Sequence, residues 1–416
     1  MLIVGGGPAG VALAWQLSRQ GIPLTLVEAS RSFERAFRGQ GLMPSGLEAL
    51  AALGLDPWPP SVPRRPLGGW SFVVNSRPLF TVREPMGSPV PCTLIEQGAL
   101  LRHWHGRLEQ RPGVRRICGQ PVVALLEANG RVTGVELADG RQLTAPLVVA
   151  CDGQGSRLRA LSGLPYAGGK APLEVLWFRL RGEASGAIAD WLGDRFVTLV
   201  GERGSGALFR RADAGVQLGW SVQEQAEAQE QAAAAAGAAD WLERWAAAAP
   251  ADLAALLRAL PPQAVRGPRR LPGRVGLAGR WQRPGLLLLG DAAHPMSPLR
   301  AQGLNMALRD AVVAAALLAP ALAGGGAAGG AAGEAEVQRQ ALDAVLPRIE
   351  AARRPEIEAV QALQAEEAGR AELLRNPWLR GMVAASAPLS GPLLARRWRA
   401  SQRVLRDGLA PLGLER

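Results

Sequence analysis

The first thirty residues restrict the possible folds of this chain more than any other segment. Leu2-Ile3-Val4 is a short buried-strand run, followed by Gly5-Gly6-Gly7-Pro8-Ala9-Gly10. Val11, Leu13, Ala14 and Leu17 then recur at helical spacing up to Gly21, and Pro23 to Glu28 reads as a second strand ending in an acid. A strand, a glycine turn, a helix and a second strand closed by a carboxylate form the βαβ unit that binds a dinucleotide. In that unit Gly5 permits the tight turn, Gly7 lets the backbone approach a pyrophosphate, and Gly10 lets the helix lie close to the strand, with Pro8 and Ala9 completing the turn. The helix start supplies unpaired N–H groups and a partial positive charge for the phosphates. Glu28 stands eighteen residues after Gly10, where a carboxylate accepts from ribose hydroxyls.

Two later segments repeat the theme of a strand running into Asp and small residues. The first is Leu147 to Ala150, Cys151, Asp152, Gly153, Gln154, Gly155, Ser156 and Arg157, with Arg159 beyond. The second is Leu286 to Leu289, Gly290, Asp291, Ala292, Ala293, His294 and Pro295, continuing through Pro298 to Gln302, Gly303, Leu304, Asn305 and Asp310. In a doubly wound sheet the strand C-termini converge on one crevice, so Asp152 and Asp291 are expected to face it. The Gly303 start of a predicted helix over 303–318 directs N–H groups at an anionic ring.

Elsewhere, Pro44 to Leu55 and Gln97 to Gln110 read as helices, and Trp70 to Val82 as a hairpin turning at Asn75 to Pro78. Val122 to Val149 reads as a three-arm meander with turns at Asn129-Gly130 and Asp139-Gly140. Val175 to Leu180, Phe196 to Val200 and Val216 to Val222 read as strands of a separate sheet, and Ala226 to Leu260 as an Ala-rich helix. Ala321 to Gly333 is low-complexity Ala/Gly, read as a flexible surface connection, and the remainder is helical. The fold class expected is α/β: a Rossmann-like domain with an inserted β-sheet domain and a helical C-terminal region. The expected division is 1–65, 92–165 and 270–320 for the first domain, 66–91 and 166–269 for the second, and 321–416 for the helical region.

Composition narrows the function classes. The longest apolar run, Ala311 to Ala323, is interrupted by Pro320 and is shorter than the roughly 20 residues of a membrane span, and the N-terminus lacks a basic stretch before its apolar residues, so a cytoplasmic chain is expected. Three cysteines without a CxxC pair argue against a disulfide scaffold, a cysteine zinc site or a dithiol centre. The formal net charge is +11, and 46 of the 47 basic residues are arginine, Lys170 being the sole lysine. No zinc finger, RNP-type aromatic motif or basic region with heptads accompanies that charge, so no nucleic-acid partner is expected. Arg396, Arg397, Arg399, Arg403 and Arg406 cluster beside Leu393, Leu394, Trp398, Val404 and Leu405. That pattern fits a helix resting on anionic lipid as a peripheral membrane contact, or a solvated helix packed on the body.

The three glycine/aspartate motifs, in this order and spacing from residue 1 to about 320, resemble the single-component flavoprotein aromatic hydroxylases. That family has the para-hydroxybenzoate hydroxylase fold and includes the ubiquinone-biosynthesis hydroxylases. Arg38 with Gly39, and the helix ending Leu53-Gly54-Leu55, match the family's RGxxLxPxxLxxLxxLGL pattern, and Gln97 falls where the family places an FAD-contacting Arg or Gln. The resemblance implies that FAD rests its pyrophosphate on Gly5 to Gly10, its ribose on Glu28 and its ribityl chain on Asp291. It implies further FAD contacts at Arg38, Gln97 and Gly290, and at Asp152-Gly153, which also serve a transient NAD(P)H. The segment Pro298 to Asn305, including Gln302, Gly303 and Leu304, would flank the isoalloxazine. The implied reaction is NAD(P)H-dependent hydroxylation of an electron-rich aromatic or quinol-precursor substrate by molecular oxygen, through a C4a-hydroperoxyflavin; no metal is implied.

The chain departs from the family's PxxGQGxN at Ala301, where a positive φ costs more than at glycine. Arg300 is also new; with Pro298 it is the candidate catalytic pair, its cation either stabilising reduced flavin or pointing to solvent. His294 reads as a support of its turn, His103 and His105 as surface or packing residues, and Cys92, Cys118 and Cys151 as small buried hydrophobes. Trp70, Phe72, Trp177, Phe178, Phe196, Phe209 and Trp220 read equally as core or as a substrate-pocket wall. The alternative of the same fold is an FAD-dependent reductase or dehydrogenase acting on an isoprenoid or related lipid. A halogenase is disfavoured because no WxWxIP segment occurs, and a plain NAD dehydrogenase leaves the Asp152 and Asp291 segments unexplained. A non-enzymatic flavin scaffold and an arginine-driven nucleic-acid binder are the readings from other classes.

Overall fold

The computed structural model describes residues 1–32, 41–55, 59–170, 174–181, 185–222, 237–271, 273–323 and 332–409. Arg38, the 226–236 part of the expected Ala-rich helix and most of the Ala/Gly connection lie outside them. A six-stranded sheet is ordered Gln282–Arg283, Leu286–Leu288, Val148–Ala150, Leu2–Val4, Leu24–Glu28 and Val114–Cys118, antiparallel only at its first pair. Its central strands are apolar and buried throughout, as a parallel sheet covered on both faces requires. The helices Pro8–Arg19 and Gln302–Ala323 cover it, and their apolar faces join the strands in the largest core cluster.

The expected meander divides. Val122–Ala128, Arg131–Leu137 and Gln142–Thr144 form a three-stranded sheet, while Val148–Ala150 leaves for the parallel sheet. Pro146 separates the two pieces of the third arm, because it has no N–H to give to a ladder. The Asn129-Gly130 turn has φ 49° and 74°, the two positive values that a tight hairpin needs.

The second large sheet has seven strands, ordered Val265–Leu271, Glu174–Leu180, Val216–Val222, Gly204–Arg210, Arg195–Gly201, Gly69–Val74 and Arg77–Arg83. Gly204–Arg210 is not among the expected strands, since Gly204 and Gly206 dilute its alternation. Asn75 and Ser76, both at positive φ, make the whole turn of the 69–83 hairpin, so Arg77 and Pro78 belong to the strand. The expected helix through 260 breaks at Ala249-Pro250 into Ala238–Ala248 and Ala251–Arg258, where Pro250 cannot continue the helical ladder. These helices cover one face of the sheet, meeting Leu176, Phe178, Leu180 and Trp220 in a separate core cluster.

The C-terminal region comprises Ala332–Leu373, Pro377–Ser401 and Arg403–Asp407. Part of the face expected to meet lipid is turned inward, while Leu393, Arg396, Arg397, Arg399 and Arg403 stay exposed. Leu405 is buried, Val404 packs on the main core, and Trp398 packs against Trp70, Phe72 and Phe80. The Arg406 guanidinium donates to both oxygens of Glu84 at 2.5 and 2.8 Å, in a pair with both side chains buried. The helical segment over 299–323 is long and apolar enough to cross a membrane, which corrects the length read from the 311–323 run, but 61% of its apolar 18-residue stretch is buried inside the protein.

Candidate active site

Parallel pairing sets Leu2–Val4, Val148–Ala150 and Leu286–Leu288 side by side. Their C-terminal extensions, starting at Gly5, Cys151 and Leu289, therefore open on one crevice. Closeness explains the glycines. Gly5 has φ 108°, and a Cβ there would lie 2.2 Å from the Cys151 carbonyl oxygen. A Cβ on Gly10 would lie 2.0 Å from the Gly5 carbonyl oxygen, so both positions exclude a side chain.

The crevice continues into a cavity of about 290 Å³. Of the expected site residues, Gly7, Pro8, Ala9, Gln97, Gly153 and Asp291 line it, and so do Pro298, Arg300, Gln302, Gly303 and Leu304. Gly5, Gly10, Glu28, Asp152, Gly290 and Asn305 stand behind its wall as supports. Glu28 accepts the Gly6 N–H at 2.6 Å and the Ser30 N–H at 2.8 Å, shaping the glycine turn. Asp152 accepts from the Ser156 hydroxyl at 2.5 Å and the Leu158 N–H at 3.0 Å, so its carboxylate builds the start of the next helix while Gly153 and Gln154 meet the cavity. Asn305 is fully buried: its Oδ1 accepts the Met43 N–H at 2.9 Å and its Nδ2 donates to the Ala301 and Gly41 carbonyls. It ties the 41–43 segment to the 298–302 loop.

Beneath Asp291 lies a buried ionic chain. Asp310 accepts the Gly290 N–H at 3.1 Å, hydrogen-bonds His294 Nε2 at 2.6 Å and accepts from Arg353 Nε at 2.8 Å. Arg353 also pairs with Glu356, which accepts from Arg309, which in turn reaches Glu48. Burial pushes the Asp310 carboxyl up, but the charges and hydrogen bonds of His294 and Arg353 outweigh it and hold it at about 2. His294 thus braces its turn, as expected. Arg159 joins the two aspartate loops by donating to the Ala292 carbonyl at 2.6 Å and the Gln154 carbonyl at 2.9 Å.

The 298–302 loop departs furthest from expectation. Arg300 (φ 59°) and Ala301 (φ 51°) are both left-handed, so the strain expected at Ala301 is real and extends to its neighbour. The helices of the C-terminal region hold the loop there. Gln364 donates to the Ser297 and Leu299 carbonyls, Gln302 donates to the Leu405 carbonyl, and Arg300 Nε donates to Glu367 at 2.9 Å. The Arg300 guanidinium lies 5.0 to 5.7 Å from the ring centroids of Trp398, Trp70 and Phe72. It lines the cavity and is not turned to solvent; its charge is matched by Glu367.

Strand alternation sorts the aromatic residues. Trp70, Trp177, Phe196 and Phe209 line the cavity, whereas Phe178 and Trp220 face the opposite core with Trp241 and Trp245. Phe196 lies 5.0 Å from Trp70 and stacks on Phe209 at 5.1 Å, between ring centroids. Cys92 lines the cavity, and burial pushes its thiol up to about 12, so it stays protonated. Cys118, expected to be buried, is exposed. Sequence reasoning missed His105, a buried side chain whose Nε2 lies 2.8 Å from the Gly6 carbonyl oxygen. It also missed Gln364, Glu367 and Trp398 as holders of the loop, since nothing separates them from other residues of polar or mixed helices.

These residues fit FAD. The Pro8–Arg19 helix starts at Gly7 with no side-chain cap, leaving its first N–H groups for an anion. Gln97 Oε1 is a buried acceptor at the cavity without a partner among the described residues. A Cβ on Gly153 would meet open space, so the backbone there is approachable.

The family model described as an FAD binding domain matches residues 1–340. The 6-methylpretetramide 4-monooxygenase of Streptomyces rimosus is 33% identical over 413 residues, covering 97% of this chain and 90% of the relative. The protoasukamycin 4-monooxygenase of Streptomyces nodosus subsp. asukaensis is 28% identical, covering 87% and 86%. Among solved structures, Pseudomonas aeruginosa PqsL in complex with 2-aminobenzoylacetate superposes with TM-score 0.72 at 22% identity, over 92% of this chain and 98% of that one. The chain belongs to the FAD-binding-domain family, among its flavoprotein aromatic hydroxylases. It is an FAD-dependent monooxygenase of para-hydroxybenzoate hydroxylase fold.

Proposed function

We propose that this monooxygenase hydroxylates a planar, electron-rich aromatic compound such as a phenol, as its relative is a monooxygenase of 6-methylpretetramide, with NAD(P)H as reductant. The observation that carries the reading is one cavity with two unlike walls. One wall is backbone and small residues from Gly7 to Ala9, Gly153 and Gly303; the other is Trp70, Trp177, Phe196 and Phe209. Bound FAD would supply the redox chemistry by which two electrons from NAD(P)H and molecular oxygen give one oxygen atom to the ring and the other to water.

The chain's own residues bind, orient and exclude water. Gly7 and the start of the first helix take the pyrophosphate, with Gly5 and Gly10 giving the close turn and Glu28 reaching the ribose. Asp291, on the Gly290 turn braced by Asp310, accepts from the ribityl hydroxyls. Gln97 and Gly153 complete the cofactor wall, and Arg38 remains assigned by its motif. Pro298, Gln302, Gly303 and Leu304 flank the flavin ring, held by Asn305. Arg300 is a positioning residue that ties this loop to Glu367 and the aromatic wall. The aromatic faces stack on a planar substrate and shed water from it.

In this reading residues 1–65, 92–165 and 270–320 hold the cofactor, 66–91 and 166–269 supply the substrate wall, and 321–416 secure the loop between them. The expected lipid contact retains Leu393 and the exposed Arg396, Arg397, Arg399 and Arg403 of its original face, and binding to anionic vesicles tests it. The deciding experiment gives the yellow protein NADH or NADPH across phenols and quinol precursors, following oxygen uptake and product mass. A product heavier by one oxygen atom supports the proposal. Substrate-independent peroxide formation throughout the panel overturns the assigned substrate class.

A further inference from the structure

The helix Pro377–Ser401 is packed on one side and presents large apolar side chains on the opposite side. Its inward side, Arg380, Ala384, Ala387 and Gly391, is buried. That side sits against the 77–83 strand so closely that a Cβ on Gly391 would lie 2.4 Å from the Leu79 carbonyl oxygen. Its outward side carries Trp378, Met382, Leu389 and Leu393, exposed at 83, 62, 89 and 54%. At 3.6 residues per turn these four fall within an arc of about 60°. Large apolar side chains aligned in this way mark a contact surface rather than scattered surface residues.

We propose that this stripe is the interface between two copies of the chain, paired antiparallel about a two-fold axis at Ala385-Ser386. The stripe reads the same from either end. With Ala385 opposite Ser386 of the second copy, Met382 falls opposite Leu389 and Trp378 opposite Leu393. Two small residues mark the crossing point and large ones flank it, as close approach of two helices requires. A two-fold interface must be self-complementary in this way, whereas a lipid surface imposes no such symmetry.

Charge selects the orientation. No acidic residue occurs between 377 and 406, and the exposed arginines of this segment, Arg396, Arg397, Arg399 and Arg403, all lie at its C-terminal end. Parallel pairing would superpose the two clusters. Antiparallel pairing separates them by about 30 Å at 1.5 Å per residue, well beyond a Debye length of roughly 8 Å. Over 377–395 the only cation, Arg380, is buried against the body and donates to Asn75, so the middle of the apolar stripe carries no exposed charge and the exposed arginines stand only beyond its ends. The four side chains offer on the order of 500 Å² per copy, less than the ~800 Å² of a standard-size interface, so a weak, reversible dimer is expected.

The test uses the full-length holoenzyme. Sedimentation between about 1 and 100 μM should show a monomer–dimer equilibrium, and Leu389→Asp should shift it to monomer with FAD content and turnover unchanged. In a Cys118→Ser background, which removes the exposed native thiol, Ser386→Cys should oxidise to a covalent dimer. Trp378→Cys alone should not, whereas a mixture of Trp378→Cys and Leu393→Cys proteins should. A wild-type monomer at 100 μM, or a dimer indifferent to Leu389→Asp and cross-linked equally from every position, overturns the proposal. Monomeric protein that co-sediments with phosphatidylglycerol vesicles through the same stripe assigns the surface to lipid instead.

Discussion

The substitution Asp310→Asn removes the charge on which a buried chain of side chains turns. In the native protein the carboxylate receives the Gly290 N–H, His294 and Arg353, and both Asp310 and its partners are essentially inaccessible. A carboxyl lowered from 3.8 to about 2 corresponds to about 2–3 kcal/mol of native-state stabilisation at roughly 1.4 kcal/mol per unit. The substitution would also leave Arg353 facing a neutral amide, and breaking a buried pair costs about 3–5 kcal/mol. Chemical denaturation followed by tryptophan and flavin fluorescence should therefore show a loss of about 3–5 kcal/mol. Because the folded-state value lies below the unfolded one, the carboxylate's contribution is complete above about pH 4 and disappears as pH falls through 2. Wild type should lose that component in acid, and Asp310→Asn should lack it. The Gly290 turn that aims Asp291 would also loosen, so FAD affinity should fall in the same variant. A variant within about 1 kcal/mol of wild type, with the same acid limb and the same FAD affinity, would refute the assignment of this chain of charges as the brace of the Asp291 turn.

Gly10→Leu should give colourless protein that FAD does not reconstitute, as absorbance at the flavin bands would report, because even a Cβ meets the Gly5 carbonyl at 2.0 Å. Asp291→Ala should weaken FAD by one to two orders of magnitude in a fluorescence titration, from about 1–3 kcal/mol for ribityl hydroxyls left without an acceptor. Glu367→Gln leaves Arg300 without its counter-charge; FAD should stay bound while the fraction of NAD(P)H diverted to peroxide rises several-fold, and unchanged coupling would show that the tether does not act on the loop.

The cofactor half was readable because backbone constraints write themselves into residue types. Gly5 and Gly10 admit no side chain, and Leu286 to Leu288 are apolar throughout since the strand is covered on both faces. Alternation likewise placed Trp177 and Phe178 on one strand, though it did not say which faced the cavity; that depends on where the 238–258 helices lie. The holders of the flavin loop were not readable. Glu367 is one acid among many on a long helix, and its significance comes from Arg300, 67 positions earlier. The inward packing of Trp398, Leu405 and Arg406 within 393–406 was not readable for a related reason. An arginine bound for a buried pair, such as Arg406 with Glu84, has the same letter as one bound for solvent, and only tertiary distance distinguishes them. Trp378, Met382 and Leu389, exposed on the same helix, do not stand out in the sequence because exposure is not encoded locally.

That the loop at Arg300 is secured by residues made much later gives synthesis on the ribosome a direction. The glycine turn, its helix and the parallel strands emerge first and can form the nucleotide crevice, since domains fold from the N-terminal side as they appear. The left-handed pair Arg300-Ala301 gains its tethers only when Gln364, Glu367, Trp398 and Leu405 follow. A nascent chain that has already captured its cofactor would therefore lack the clasp that finishes the oxygen-handling side, so electron leakage is restrained only once the C-terminal helices have docked, and truncated products would be yellow but leaky.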